Sequence, residues 1–324
     1  MSFTITLCLA LLLDTLLGDP EGLPHPVAGV GRLIGFWEGR LYPAAGTGIL
    51  KFRRGLIFCG AVLLSTALVI FLALWAVSGS PFLTAAAQVY FLYAALAWRS
   101  LKDETLTVAL ALFRRNLPGA RTALARVVGR DTENLSEPAI VRAAVETVAE
   151  NSVDGVFSVL FFAALGYALQ GAVGMVLSVW LFKAASTLDS MVGYDDERYH
   201  DFGRASARLD DVLNFIPARV AGLVIILAGV CLGAGLFPPL RVFLRDRKKH
   251  RSPNSAHGES AFAGVLSLRL GGGAAYGGKW EPRPWLGDET EREIEPADIL
   301  RAHQLLDTSV ALFALLTLVL LGKV

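Results

Sequence analysis

Charge is scarce in this chain and has almost no bias of sign. Asp, Glu, Lys and Arg make up 18% of the 324 residues and sum to +1, so the broad basic face that nucleic-acid phosphates require is missing. With 54% hydrophobic residues and a mean hydropathy of +0.51, the sequence is too apolar for an ordinary soluble domain, and a bilayer is its expected solvent. Cysteine is rarer still. Cys8, Cys59 and Cys231 stand far apart in apolar stretches, with no CxxC pair and no neighbouring histidine. They read as small core hydrophobes, with no grounds for redox chemistry or zinc. A G-x-S-x-G elbow, an HExxH helix and a Rossmann fingerprint are also missing, so hydrolase triads, zincins and nicotinamide chemistry have no foothold. Gly273 to Lys279 matches GxxxxGK, but Trp280 stands where a magnesium-binding hydroxyl belongs, and Pro282 and Pro284 follow. The segment is therefore expected to be a flexible glycine-rich substrate loop rather than a nucleotide loop. No internal repeat supports an inverted-repeat transporter.

Apolar runs are abundant, and runs of about 17 to 25 residues mark membrane spans. Gly55 to Val77 is the clearest. After Ser78-Gly79-Ser80-Pro81, Phe82 to Trp98 is expected to return as the second arm of a helical hairpin. The N-terminal MSFTITLCLALLLDTLLGDP has neither a basic n-region nor an A-x-A site, so it is expected to stay as a membrane segment. Asp14 within it suits lipid poorly. Val153 to Phe182 is interrupted at Gly166-Tyr167 and Gln170-Gly171, so it forms either one tilted span or a re-entrant hairpin, and the hairpin is the expectation because broken helices at membrane depth line a site. Ala218 to Phe237 and Gln304 to Leu321 complete the set. Arg99 to Glu150 and Lys183 to Pro217 are polar with helical periodicity, and Ser136-Glu137-Pro138 marks a helix start.

The expected fold is all-α, a polytopic integral membrane protein with about five to seven apolar helical segments, at least one of them re-entrant, joined by polar helical loops. It forms a single membrane-embedded domain over 1–324, within which 241–303 is an extramembrane loop. The run Arg241, Arg245, Arg247, Lys248, Lys249 and Arg251 places that loop in the cytoplasm. Arg32, Arg40, Lys51, Arg53 and Arg54 ask for the same side, which is why one apolar segment must re-enter.

The polar groups are grouped rather than scattered. Glu146, Glu150 and Asp154 recur at i, i+4 and i+8, which stacks three acids along one helical stripe running into apolar Val156 to Leu165. A hard cation with oxygen ligands, magnesium above all, is the natural counter-charge; a solvated acidic face is the plainer alternative. Lys183 and Asp189 flank a mostly apolar run at a helix exit. Asp210, Asp211 and Asn214 share about one helical turn before Pro217 and Arg219. Asp14, Asp19 and His25 surround a loop stiffened by Pro20, Pro24 and Pro26, where a lone histidine is more often structural than a ligand. Arg251, Ser252, Asn254 and Ser255 precede a helix expected to begin near Glu259-Ser260. An arginine at a helix start makes an anion cradle suited to phosphate, although the Lys248-Lys249 part serves equally well as a patch for anionic lipid.

Taken together, LLLDTLLGDP with HPV, ENLSEPAIVRAAVETVAENSVDGVFS, KAASTLDSMVGY, ARLDDVLNFIPARV and DRKKHRSPNSAHGESAFAG followed by LGG and YGG resemble the adenosylcobinamide-phosphate synthases of cobalamin biosynthesis, the CbiB/CobD family. The likeness covers nearly the whole chain. Ser186 stands where the family pattern has asparagine, and Val159 where it has proline. The resemblance implies a multi-pass enzyme of the cell (inner) membrane, an ATP-dependent acid-amine ligase joining adenosylcobyric acid to aminopropanol phosphate or a close analogue. It implies Mg²⁺ held by Glu146, Glu150, Asp154, Asp210 and Asp211, with ATP as cosubstrate. Glu146, Glu150, Asp154, Lys183 and Asp189 would be catalytic, while Lys183, Arg219 and Arg251 neutralise phosphate charge. Asp14, Asp19, His25, Asn151, Tyr194, Asn214, Arg219, Arg251, Ser252, Asn254, Glu259 and Tyr276 would bind substrates. The expected partners are the corrinoid, the amino-alcohol phosphate and the lipid bilayer, without nucleic acid. A homo-oligomer, or association with other membrane-bound cobalamin enzymes, is a further expectation. A transporter or ion-coupled carrier using the same intramembrane carboxylates is the alternative.

Overall fold

The computed structural model describes residues 2–321 apart from 21, 23, 24, 44, 290 and 291; Pro24 therefore lies outside the described residues. The chain is helical almost throughout, as expected. In order it forms α1 (Phe3–Leu17), α2 (Pro26–Leu41), α3 (Gly48–Val77), α4 (Pro81–Tyr93), α5 (Trp98–Phe113), α6 (Leu117–Leu124) and α7 (Glu137–Ser152). One π-helical turn, Val153–Phe157, then leads into α8 (Ser158–Val192), followed by α9 (Arg204–Leu213), α10 (Phe215–Cys231), α11 (Phe237–Asp246) and α12 (Ser255–Leu266). Four short strands, β1 (Leu270–Gly271), β2 (Ala274–Tyr276), β3 (Lys279–Glu281) and β4 (Trp285–Leu286), precede α13 (Ala297–Leu321).

The helix starts follow local chemistry. Ser2, Thr47 and Ser80 cap α1, α3 and α4 through side-chain oxygens, and proline opens α2 and α4, where its missing N–H costs nothing. By length and apolarity Gly48–Val77, Pro81–Phe113, Glu137–Val192 and Ala297–Leu321 can each cross a bilayer. Arg204–Leu213 with Phe215–Cys231, bent by 44°, makes a fifth candidate. The expected return arm to Trp98 stops early, because α4 ends at Tyr93 and the turn Ala94 to Leu96 is buried. Tyr93 Oη fixes that end by donating to the Gly18 carbonyl at 2.5 Å.

Two compact units result, one of Met1–Ala97, Ser158–Asn214 and Leu316–Val324, the other of Trp98–Phe157 and Phe215–Leu315. In the first, α8 is the expected hairpin. Its helical dihedrals fail at Gln170 and at Gly171, whose φ of +64° favours glycine. The two arms fold back on one another. Ser178 Oγ donates to the Phe162 carbonyl at 2.7 Å, the Phe162 and Phe182 rings stack at 4.9 Å, and a Cβ on Gly166 would strike the Gly174 carbonyl. Gly55 likewise lets α3 approach the backbone at Phe202.

The second unit is built around α12, in which every residue from Ala256 to Val265 is buried. Small residues make this possible. Gly258 admits the Ala149 carbonyl of α7, and Gly264 lies against Pro239 of α11, where an added Cβ would come within 2.8 Å. A short helix buried on all sides needs backbone-close packing, which only glycine and alanine allow.

Candidate active site

The second unit gathers a charged cluster between α7, α12 and the strands. Glu146 is buried, and its two oxygens are already engaged. Oε2 pairs with Arg130 at 2.8 Å, and Oε1 accepts from the Gly271 N–H at 2.6 Å. It thus ties the loop before α7 to β1. One helical turn later Glu150 is reachable by solvent although protein surrounds it on most sides. Glu259 of α12 is 3% exposed. Burial pushes its carboxyl well above the usual range, the neighbouring Glu150 and Glu146 add to the rise, and Arg283 and Arg130 only partly offset it. His250 completes the group, with Nδ1 at 3.4 Å from Glu259 Oε1 and 3.1 Å from Ser255 Oγ. Burial and the Arg283 charge hold that imidazole at about 4, so it is neutral at pH 7.

The glycine-rich segment differs from its expected role. Gly277 and Gly278, at φ of +56° and +78°, form a two-residue turn between β2 and β3. Their N–H groups donate to Asp131 at 3.0 and 2.7 Å. A carboxylate already occupies the donors that a phosphate would need, so the segment is a pinned hairpin and not a flexible loop. Tyr276 lies on this hairpin, its hydroxyl accepting from Arg283 Nη2 at 2.8 Å.

The phosphate cradle also shifts in register. α12 begins at Ser255, four residues before the expected start, because Ala256, His257 and Gly258 pack inward rather than forming a loop. Its N-cap residue, Asn254, makes no side-chain cap hydrogen bond. Asn254 is buried there, Ser252 Oγ accepts from its N–H at 3.3 Å, and Arg219 donates to its Oδ1 at 3.2 Å and to the Phe215 carbonyl. Arg251 is exposed. Fully buried His257 sits on this first turn, and burial with the Arg219, Arg247 and Lys248 charges holds it at about 4.

Asp154, the third acid of the expected stripe, stands half-buried in the π turn that follows α7. Asn151 is exposed at the end of α7. The other predicted residues belong to the first unit. Asp14 is buried in α1; His25 caps α2 through Nδ1 and lies 3.6 Å from Asp19, a structural task. Ser158 Oγ donates to Asn214 Oδ1 at 2.7 Å, and Asn214 Nδ2 donates to Asp210 Oδ2 at 3.0 Å. Asp211 and Asp189 lie within electrostatic reach of one another. Lys183 is half-buried on α8, and Tyr194 is exposed beyond it.

Magnesium fits this arrangement poorly. Among the described residues no three of His, Cys, Asp and Glu are grouped to hold a metal ion. Of the expected ligands, Glu146, Glu150 and Asp154 belong to the second unit and Asp210 and Asp211 to the first. Arg130 and Arg283 already supply counter-charge to the acids of the second unit. Arg130, Arg283 and His250 were not singled out from the sequence; a histidine inside a basic run and an arginine between two prolines were the only local hints.

The profile of the CobD/Cbib protein family matches residues 7–306. The chain belongs to the CobD/CbiB family. A Desulfotalea psychrophila protein named Cobalamin biosynthesis protein CobD is 41% identical over 98% of this chain and 97% of its own length. Proteins of the same name from Pelobacter propionicus, 45% identical over 87% and 84%, and Photorhabdus laumondii, 40% identical over 97% of each chain, agree with it. No solved structure matches the chain. Membership in the CobD/CbiB family thus extends over the hairpin of α8, the buried α12 and the strands alike.

Proposed function

We propose that this CobD/CbiB family chain is an enzyme of cobalamin biosynthesis at the cell membrane, joining the carboxylate of adenosylcobyric acid to the amine of an amino-alcohol phosphate with ATP as cosubstrate. Family membership supports the pathway. The observation that carries the chemistry is the juxtaposition of solvent-reachable Glu150 with buried Glu259 and neutral His250, faced by Arg130 and Arg283. Amide ligation asks for these two kinds of group together. Cations hold the carboxylate and the phosphate charge that develops as the γ-phosphoryl is transferred. Acceptors take the proton that the substrate ammonium must lose before its lone pair attacks the activated acyl carbon. The C–N bond forms as the acyl C–O bond breaks and phosphate leaves. No step here is assigned to a protein-held metal.

The test is turnover. Protein purified in detergent and supplied with corrinoid acid, amino-alcohol phosphate and Mg-ATP is expected to release ADP in step with amide. Glu150→Gln should lower that turnover about a hundredfold or more while the protein still inserts and folds. Substrate flux in proteoliposomes without ADP or amide would replace the ligase by a carrier.

A further inference from the structure

The fold uses only part of the basic run from Arg241 to Arg251. Arg245 and Lys249 are bound inward, since both pair with buried Asp246, Arg245 also donates to the Gly287 carbonyl, and Lys249 donates to that of Trp285. Arg247 is half-buried, its guanidinium 5.6 Å from the Phe243 ring. Arg241 and Lys248 stay exposed. Among the described residues Lys248 makes no hydrogen bond or ion pair, and Arg241 pairs with Asp288, an acid it shares with Arg245, through side chains that are 68% and 41% exposed. Such an exposed pair contributes little.

α11 sets these cations among large apolar side chains. Phe237, Arg241 and Leu244 recur at i, i+4 and i+7, which places them along one helical stripe, and Lys248 follows in step just beyond the helix end. Phe237 is 79% exposed and Leu244 55%, whereas Pro239, Val242, Phe243 and Asp246 are buried. In water the outward face of a helix is polar. Here it alternates aromatic, cation, aliphatic and cation, the pattern of a helix in a membrane interface, where apolar side chains enter the acyl boundary and long cationic stems reach back to the headgroups. The preceding chain leads to that setting. Exposed Leu223, Leu227 and Val230 follow one stripe of α10, and exposed Leu232 and Leu236 continue it to Phe237.

The shape of the surface separates a bilayer from a dissolved anion. Phe237, Pro238, Leu240, Arg241, Leu244 and Arg245 line an open groove of about 730 Å³, and all of them come from α11. A small soluble ligand needs enclosure to bury most of its surface, so a groove walled by one helix suits something extended. Charge agrees, because Arg241, Arg245, Arg247, Lys248 and Lys249 stand here against only Asp246 and Asp288. We infer that the outward stripe of α11 lies on the headgroup layer of a bilayer and selects anionic phospholipid, with Phe237 and Leu244 against acyl chains and Arg241 and Lys248 against lipid phosphates.

Quenching of tryptophan by brominated acyl chains tests this in the full chain. Phe237→Trp puts an indole at the apolar end of the stripe, and its signal is read as the difference from the unaltered protein, none of whose six tryptophans lies on α11. Leu244→Trp is a second reporter further along, and both sites are exposed enough to accept the larger ring. In phosphatidylcholine bilayers holding a fixed minor fraction of brominated phosphatidylglycerol or of brominated phosphatidylcholine, the added signal is expected to show a binding constant about five- to twentyfold higher for phosphatidylglycerol. Arg241→Gln with Lys248→Gln in the same reporter should bring that ratio to about one, and added salt should lower it. Inorganic phosphate at constant ionic strength should leave it unchanged; loss of the preference there would make this a soluble-anion site and overturn the inference. Equal quenching by the two lipids overturns it as well, and quenching by neither places α11 in water. None of these readouts involves turnover, so they separate from any failure of the ligase reading.

Discussion

Asp246 and Glu259 are both fully buried acids of the same unit, and their surroundings drive them in opposite directions. Burial raises the Asp246 carboxyl, but hydrogen bonds from Arg245 and Lys249 and from the Gly287 N–H outweigh it and hold it at about 2. Its oxygens take Arg245 Nε and Nη2 at 2.7 Å, Lys249 Nζ at 2.6 Å and Gly287 N at 2.8 Å. Glu259 meets one neutral imidazole and two further acids, and the Arg283 and Arg130 charges are too weak to reverse the desolvation. The difference teaches that depth alone does not fix a buried carboxyl; the number of donors around it does. Saturated with donors, Asp246 clamps α11 to the strand segment. Glu259 has only the partial compensation of Arg283 and Arg130.

The largest effects should separate the two acids by kind. Glu259→Gln is expected to cut kcat/KM about ten- to hundredfold while raising the detergent Tm above pH 5. A raised folded pKa contributes stability only below the ordinary carboxyl range and loses it as pH rises, and glutamine removes that liability. Asp246→Asn should do the reverse, costing about 3 kcal/mol of stability with kcat/KM unchanged in the protein that remains folded. Equal Tm losses in both variants would erase the contrast.

Acid titration sharpens it further. The depressed Asp246 contributes stability that is present above pH 4 and is lost as pH falls from about 4 to about 2. His250 and His257, neutral down to about 4, cause an earlier loss, because the unfolded chain binds their protons from about pH 6.5 downward. The unfolding free energy should therefore fall in two windows, and only the lower one should disappear in Asp246→Asn. The smallest effect concerns the hairpin. Asp131→Ala frees the Gly277 and Gly278 N–H groups and should cost about 1 kcal/mol, read as a slight drop in Tm. A loss as large as that at Asp246 would mean that the hairpin, too, is clamped by a saturated buried charge.

Much of this was legible in the chain itself. The break at Gln170-Gly171 was visible as a glutamine and a glycine inside an apolar run, and the α8 arms do fold back there. The start of α7 at Glu137 was visible in Ser136 and Pro138. Other features were not. Glu146 and Glu150 lie one turn apart on α7 as their spacing predicts, whereas Asp154 falls in a π turn, of which local spacing carries no sign. α12 starts four residues before the point its sequence suggests, because His257 and Gly258 resemble loop residues until α7 and α11 close over them. Arg130, which neutralises Glu146, lies sixteen residues away in a loop of no helical register.

The sequence by itself determined that this chain is helical, lipid-embedded and a member of one family, since apolar length and periodicity are properties of consecutive residues. Only the tertiary structure decided the state of each acid. Whether a carboxylate is clamped by Arg130 and Gly271, or left beside its own kind as Glu259 is, depends on partners far along the chain, and charge interactions in a poorly screened interior are set by distance in space.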